Sequence, residues 1–349
     1  MGKGNNMTGQ AALPTWGIVM TVKEPAQLLL ANLGWHLGTG ATEIHLYLDD
    51  PEDPVAEALG ALSRVRVMRC DPAHWHQLAP SGKRPPTHRR RQVLNANHAL
   101  AHCDVEWLIH LDADEFLVQD RPVAEELAVV QELDCELFFP VSERVFERDA
   151  PVASIFSGVF RTSTKGLNRR GDGLDNDKVI FGAQEPLLVH GLLSHSAGKC
   201  AVPRGGDYRI GIHWAFRGTG RQRAERYQST STRLLHFDGL TRLHWLSKLL
   251  RYAEVDPKLM GIAPHRLAQI ERFQQCLGSA DEMLEFHAEL REWDAARLAR
   301  LRAFGLLDER RFDPAPVIRE VLGALPDLTP ATFDAALRAE NPARLDRLT

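Results

Sequence analysis

The sequence lacks most of what would commit a chain of this size to a disulfide scaffold, a membrane or a polyanion. Its five cysteines, Cys70, Cys103, Cys135, Cys200 and Cys276, are odd in number, widely separated and without a CxxC pair. That pattern fits buried thiols in a reducing compartment rather than a disulfide framework or a zinc cluster. No apolar run is long enough to span a bilayer. The first ten residues are polar and carry no signal-type apolar stretch. Asn6 stands where a myristoylation pattern needs Ser or Thr, so Gly2 does not complete one. Neither sign of charge predominates: 42 Lys and Arg against 46 Asp and Glu leave a net charge of -4. No global field would hold the chain on nucleic acid or an anionic membrane, and any anion site must be local. Internal repeats and low-complexity tracts are also missing. These absences point to a cytoplasmic protein without a transmembrane segment or a nucleic-acid partner, with room only for peripheral membrane contact.

What is present is enough for a full core, with 44% hydrophobic residues among 349. Residues 1–15 read as a flexible N-terminus. From residue 16, short apolar runs alternate with amphipathic ones, the signature of strand-helix units and a mostly parallel sheet flanked by helices. WGIVMTV (16–22) and EIHLYLDD (43–50) read as strands. Between them Ala26 to Leu37 places Leu29, Leu33 and Leu37 on one helix face, with Pro25 in the first turn. A short helix is expected over 54–62 and a half-polar strand over 64–70. Residues 71–92 read as a long loop entering a helix from about His88 to Ala101. Residues 107–118, WLIHLDADEFLV, read as one further strand. Short strands such as LFFPV, VIFGA and LLVHGLL, with Gly-rich loops such as RRGDGLDNDK, fill residues 119 to 235. From Leu240 onward the 3.6-residue period predicts a C-terminal helical extension over 241–349.

The most informative run is WLIHLDADEFL. In an extended strand, Asp112 and Asp114 share a face while Ala113 and Glu115 point the other way. Two carboxylates at the carboxyl end of a parallel strand suit a hard cation such as Mg2+ or Mn2+ that keeps positions open for phosphate oxygens. Such a cation stabilises charge on a departing diphosphate without a protein acid.

This run resembles the D-x-D-E-F-L strand of bacterial family-2-like glycosyltransferases of the GT-A type, a group similar to glycosyltransferase family 92. MTVKEPAQLLLANLGWHLGTGATEIHLYLDD resembles the opening of the same group, except that Glu24 follows Lys23 directly, without an intervening Asn. The resemblance covers residues 16–240. It implies a GT-A, Rossmann-like catalytic domain there and metal-dependent transfer of a sugar from a UDP- or GDP-linked donor, with inversion. The acceptor would be a glycan, a lipid-linked or a small-molecule hydroxyl. It also implies Thr21, Lys23, Glu24 and Asp49 or Asp50 around the base and ribose, Lys199 on phosphate, His213 on the acceptor and His236 as a third metal ligand beside Asp112 and Asp114. Glu115 takes a supporting role, orienting the loop or the donor sugar.

Other residues stand out by position. Gln92 and Asn95, one helical turn apart, suggest a shared polar face within the run His88-Arg89-Arg90-Arg91-Gln92, whose Arg forks suit a diphosphate. The base that takes the acceptor proton is sought among Glu143, Asp177, Glu185 and Asp238. Glu143 is favoured as a carboxylate at an exposed strand end, against a surface ion pair with Arg144 or Arg148. Two rivals remain. A metal-dependent phosphoester hydrolase would use the same acids with more ligands clustered around two metals. A binding module would use the basic loop at 83–91, which lacks interleaved aromatics.

Overall fold

The computed structural model describes residues 12–60, 62–167, 176–254 and 261–348. Most of the N-terminus read as flexible, and most of the RRGDGLDNDK loop, lie outside the described residues. The chain opens with β1 (Trp16–Val22), α1 (Ala26–Gly38), β2 (Glu43–Leu48), α2 (Val55–Leu59) and β3 (Val65–Arg69). Next come α3 (Pro72–Leu78), α4 (His88–His102), β4 (Trp107–His110) and β5 (Glu115–Gln119). Pro25 sits just before α1, where its carbonyl accepts the first helical N-H groups. The middle of the chain holds α5 (Val123–Gln131), β6 (Glu136–Phe139), β7 (Val141–Glu147), β8 (Val159–Thr162) and α6 (Asn176–Phe181). It continues with β9 (Lys199–Pro203), β10 (Tyr208–Ile210), β11 (Ala215–Arg217), β12 (Gln222–Arg223), β13 (Arg226–Gln228), β14 (Thr232–His236) and α7 (Arg242–Ala253).

The main sheet has seven strands in the order β13-β6-β9-β4-β1-β2-β3. Strands β4, β1, β2 and β3 run parallel, and β9 is antiparallel to both β4 and β6. The fold is therefore α/β, with a mostly parallel central sheet flanked by helices. Strands β1, β2 and β4 are buried along their whole length, as expected of a sheet covered on both faces. Alternation divides them: Ile18, Met20, Leu46 and Ile109 pack with α1, whereas Val19, Tyr47 and Leu108 pack with Ala96, Ala99 and Leu100 of α4.

The expected single strand over 107–118 is two strands in different sheets. Strand β4 lies in the main sheet, while β5 pairs antiparallel with β14 in a second sheet ordered β16-β8-β7-β14-β5. Here β15 (Glu292–Trp293) lies beside β7, and β16 (Leu307–Asp308) beside β8. The break has a local cause. The Glu115 N-H donates to the Asp112 carbonyl at 3.1 Å, and the Glu115 carboxylate accepts the Asp112 N-H at 2.8 Å. These bonds close a turn between the Leu111 N-H, which still donates to Val19 of β1 at 3.1 Å, and the Asp114 carbonyl, which already accepts the Phe237 N-H beside β14 at 2.9 Å, so the chain leaves one sheet for the other there.

Two further expectations change. The loop over 71–92 contains α3, started by Pro72 and capped by Asp71, whose side chain accepts the His74 N-H at 2.7 Å. VIFGA lies largely in α6, and LLVHGLL is a turn with an isolated Val189–Leu192 bridge.

Among the described residues, the α-helices after α7 are Pro264–Cys276, Ala280–Arg291, Ala295–Ala303, Ala315–Leu322, Pro330–Glu340 and Pro342–Leu345. The core runs continuously from Trp16 into this region. Helix Ala315–Leu322 docks on α1 at Gly34 and Gly38, where an added Cβ on Gly38 would lie 2.3 Å from Val317 Cγ1. Phe116, Phe156, Phe237 and Phe312 form a buried aromatic cluster with centroid separations of 5.1 to 5.6 Å. The five cysteines are buried and unpaired. Among the described residues, no helix is long and apolar enough to cross a membrane.

Candidate active site

Parallel strands β4, β1 and β2 deliver their carboxyl ends to one edge, and α4 ties the three together. Its Asn95 donates to Thr21 Oγ1 at 3.0 Å, and its Gln92 donates to Asp112. Its Arg91 holds Asp49 through Nε at 2.7 Å and Nη2 at 2.8 Å. Gln92 and Asn95 are both buried, so the shared polar face read from their spacing is present. His74 of α3 adds a contact to Asn95 Oδ1 at 2.9 Å. Arg91 is spent inside the protein on Asp49, and Arg84 joins it at 2.8 Å, which leaves His88, Arg89 and Arg90 as the exposed members of the basic run. Lys23 pairs with Asp50 at 3.1 Å in the open, whereas Glu24 is drawn to His244 of α7 at 3.2 Å.

The acidic turn lies beside these strand ends. Asp112 and Asp114 do not share a strand face, because they sit in the turn between the sheets, and each is held by a different lysine. Asp112 accepts Lys199 Nζ at 2.9 Å, and the same fully buried ammonium lies 3.2 Å from Glu115 Oε2. Asp114 accepts Lys248 Nζ of α7 at 2.5 Å. Burial opposes the charge on both aspartates, but Lys199 beside Asp112 and Lys248 beside Asp114 hold their carboxyls well below the usual range. Both lysines are pushed up in turn by the acids around them. Glu115 does not point away from this chemistry: it is fully buried and closes the turn.

His236 ends β14 and is held opposite Glu115 and Glu143 by the two ladders it joins. Its Nε2 faces Asp114 Oδ2 at 3.7 Å. Burial disfavours the imidazolium, yet Asp114, Glu115 and Asp238 raise its pKa to about 9. Its Nδ1 contacts the Ser194 hydroxyl at 2.9 Å, and that hydroxyl donates to Glu143 at 2.7 Å. Glu143 is therefore not at an exposed strand end. It is fully buried within β7, paired with Arg161 at 2.7 Å, and it accepts the N-H groups of Leu193 and Ser194, each at 2.8 Å. A carboxylate saturated in this way has no lone pair to offer an acceptor hydroxyl, so the reading of Glu143 as base is withdrawn. Arg161, rather than Arg144 or Arg148, is its partner. His213 is not in a strand; it occupies the turn between β10 and β11, bonds the Gly198 carbonyl at 2.8 Å and is kept neutral by burial, with a pKa of about 2.

Among the described residues, two sets of three side chains bring ligand atoms within 4.8 Å of one another: Asp114, His236 and Asp238, and Glu115, His195 and His236. Asp112 belongs to neither set. The donor atoms suit a divalent cation, and Glu115 Oε1, fully buried with no hydrogen-bond partner, is the kind of atom a cation would satisfy. The sequence reading missed Lys248, His195 and Ser194. Lys248 carries a weak signal, being a lone Lys on the apolar face of a helix; His195 and Ser194 carry none.

No family model matches the sequence, and no curated protein does. Among solved structures, S. aureus TarS 1-349 matches at 12% identity over 96% of this chain and 89% of that one, with a TM-score of 0.31. Glucosyl-3-phosphoglycerate synthase from Mycobacterium tuberculosis, solved with Mn2+, UDP-glucose and phosphoglyceric acid, matches at 14% identity over 55% of this chain and 57% of that one, with a TM-score of 0.27. HddC from Yersinia pseudotuberculosis matches at 10% identity over 64% of this chain and 93% of that one, with a TM-score of 0.33. At similarities of this order, activity rests on the residues themselves.

Proposed function

We propose that the chain is a glycosyltransferase of the GT-A type that moves a sugar from a nucleoside-diphosphate donor to a hydroxyl acceptor. One observation carries the reading: α4 gathers the ends of β1, β2 and β4 against an acidic turn that also holds two buried lysines. Ligands of open α/β sheets bind at this edge. Thr21, Lys23, Glu24 and Asp50 would meet the base and ribose, with Asp49 committed to Arg91 and acting through it. Gln92 and Lys199 fix Asp112 at the mouth of the turn. Lys199 and Lys248 bring positive charge to where a departing diphosphate gains negative charge. A divalent cation, Mn2+ or Mg2+, would be held at His236, either with Asp114 and Asp238 or with Glu115 and His195, and when bound it supplies Lewis-acid stabilisation of that leaving group. Asp112, outside both ligand sets, orients the turn and Lys199. His213 would meet the acceptor as a neutral imidazole. The acceptor is a glycan, lipid-linked or small-molecule hydroxyl, and the reaction proceeds with inversion.

The test is a turnover screen of UDP- and GDP-sugars with Mn2+ or Mg2+. Release of UDP or GDP is expected, falling by about 10²- to 10³-fold in Asp114→Asn and Lys199→Met. Turnover of simple phosphoesters in place of nucleotide sugars would favour a hydrolase instead.

A further inference from the structure

The two ligand sets share His236, and one imidazole nitrogen binds one ion, so they are alternative seats. The seat on Asp114 and Asp238 is already supplied with positive charge. Lys248 lies 2.5 Å from Asp114 and 3.7 Å from Asp238, and Arg266 and Arg291 approach Asp238 at 3.4 and 3.9 Å. The other seat has one such charge, Lys199 at 3.2 Å from Glu115 Oε2, and it leaves the second carboxylate oxygen unmatched. Glu115 Oε2 is taken by Lys199 and the Asp112 N-H, but Oε1 is fully buried with no hydrogen bond, and His195 Nε2 lies 3.4 Å from it. A buried carboxylate oxygen left without a partner is destabilising, the more so because it is charged. His236 is presented as metal-bound histidines are, with Nδ1 fixed by Ser194, itself anchored on Glu143, and Nε2 left 3.7 Å from Asp114 Oδ2, while a His236 ring nitrogen also lies within 4.8 Å of the ligand atoms of Glu115 and His195. The His195 side chain is 24% exposed, which leaves a way in.

We propose that Glu115, His195 and His236 form the cation seat, a site of two imidazoles and one carboxylate. This rests on the reading that the cluster around His236 holds a divalent ion, and it narrows which ion. Imidazole nitrogens suit first-row transition metals, whereas Mg2+ and Ca2+ seek oxygen. The seat therefore selects Mn2+, Co2+ or Zn2+ over Mg2+, and His195 is the residue that makes the choice.

Calorimetric titration of the full chain with Co2+ and with Mg2+, backed by the visible absorption of bound Co2+, tests this without turnover. Expected is Co2+ binding at least about tenfold tighter than Mg2+, weakened by about 10- to 100-fold in His195→Ala and in His195→Gln, which keeps bulk. Thermal unfolding of both variants in EDTA should match wild type, which separates ligand loss from misfolding. Equal affinity for Mg2+, or Co2+ binding unchanged in both His195 variants but lost in Asp238→Asn, would overturn the seat and leave the cation reading standing. Failure of every ion to bind would overturn both.

Discussion

Glu143 accepts bonds from Arg161, from two backbone N-H groups and from the Ser194 hydroxyl, and that saturation governs its titration. Burial alone would raise its pKa; Arg161 and Ser194 hold it down to about 2. A carboxyl depressed in the folded state contributes stability above its unfolded pKa of roughly 4.3, and that contribution is lost as pH falls toward about 2. The shift corresponds to about 3 kcal/mol at neutral pH. Glu143→Gln should therefore lower Tm at pH 7, because buried Arg161 loses its counter-charge. It should also flatten the Tm profile between about pH 4.5 and 2 relative to wild type. Thermal unfolding by circular dichroism across that range checks both, and an unchanged Tm at pH 7 would contradict the assignment. The sequence displayed Glu143 as an acid after an apolar strand but not the partner that decides its role, because Arg161 lies 18 residues away on a neighbouring strand.

At the scale of elements, the contact between α1 and helix Ala315–Leu322 depends on having no side chain at Gly38. A Cβ there meets Val317 Cγ1 at 2.3 Å and Val321 Cγ2 at 2.9 Å. Gly38→Ala should cost about 1–3 kcal/mol through overpacking, although Ala is the better helix former. Gly60→Ala, whose Cβ meets only backbone oxygens at 3.5 and 3.7 Å, should be neutral or stabilising by up to about 1 kcal/mol. Chemical denaturation of the pair measures the difference, and similar values for both would refute the packing argument. Periodicity made α1, β1, β2 and α4 legible because each buries a continuous face. It misread residues 107–118 because an apolar run gives no sign of which sheet it joins; two hydrogen bonds between Asp112 and Glu115 decide that. Helix α3 was hidden because only Asp71 and Pro72 mark its start. The acids of the turn could be read directly, but Lys248 reaches Asp114 across 134 residues, a distance no local pattern spans.

For the whole molecule, the candidate site draws on both sheets and on α7, so a bound donor should tighten them together. A ligand that binds only the folded state at 100 times its Kd adds about 2.7 kcal/mol. Hydrogen exchange with a UDP- or GDP-sugar and Mn2+ should slow in α4, β14 and α7 at once. Protection confined to the β1–β2 edge would show that α7 takes no part. The two ladders of β14 carry a further consequence. His236 stands opposite Glu115 on one side and Glu143 on the other because the residues are counted out along paired strands. A residue inserted in the exposed turn at 219–221, between β11 and β12, would be absorbed at little cost. The same residue inserted inside β14 would turn His236 to the aromatic face and bring Phe237 into the polar cluster. Length variation in descendants of this chain should therefore crowd into the loops before Thr232, with the spacing from there to Asp238 unchanged.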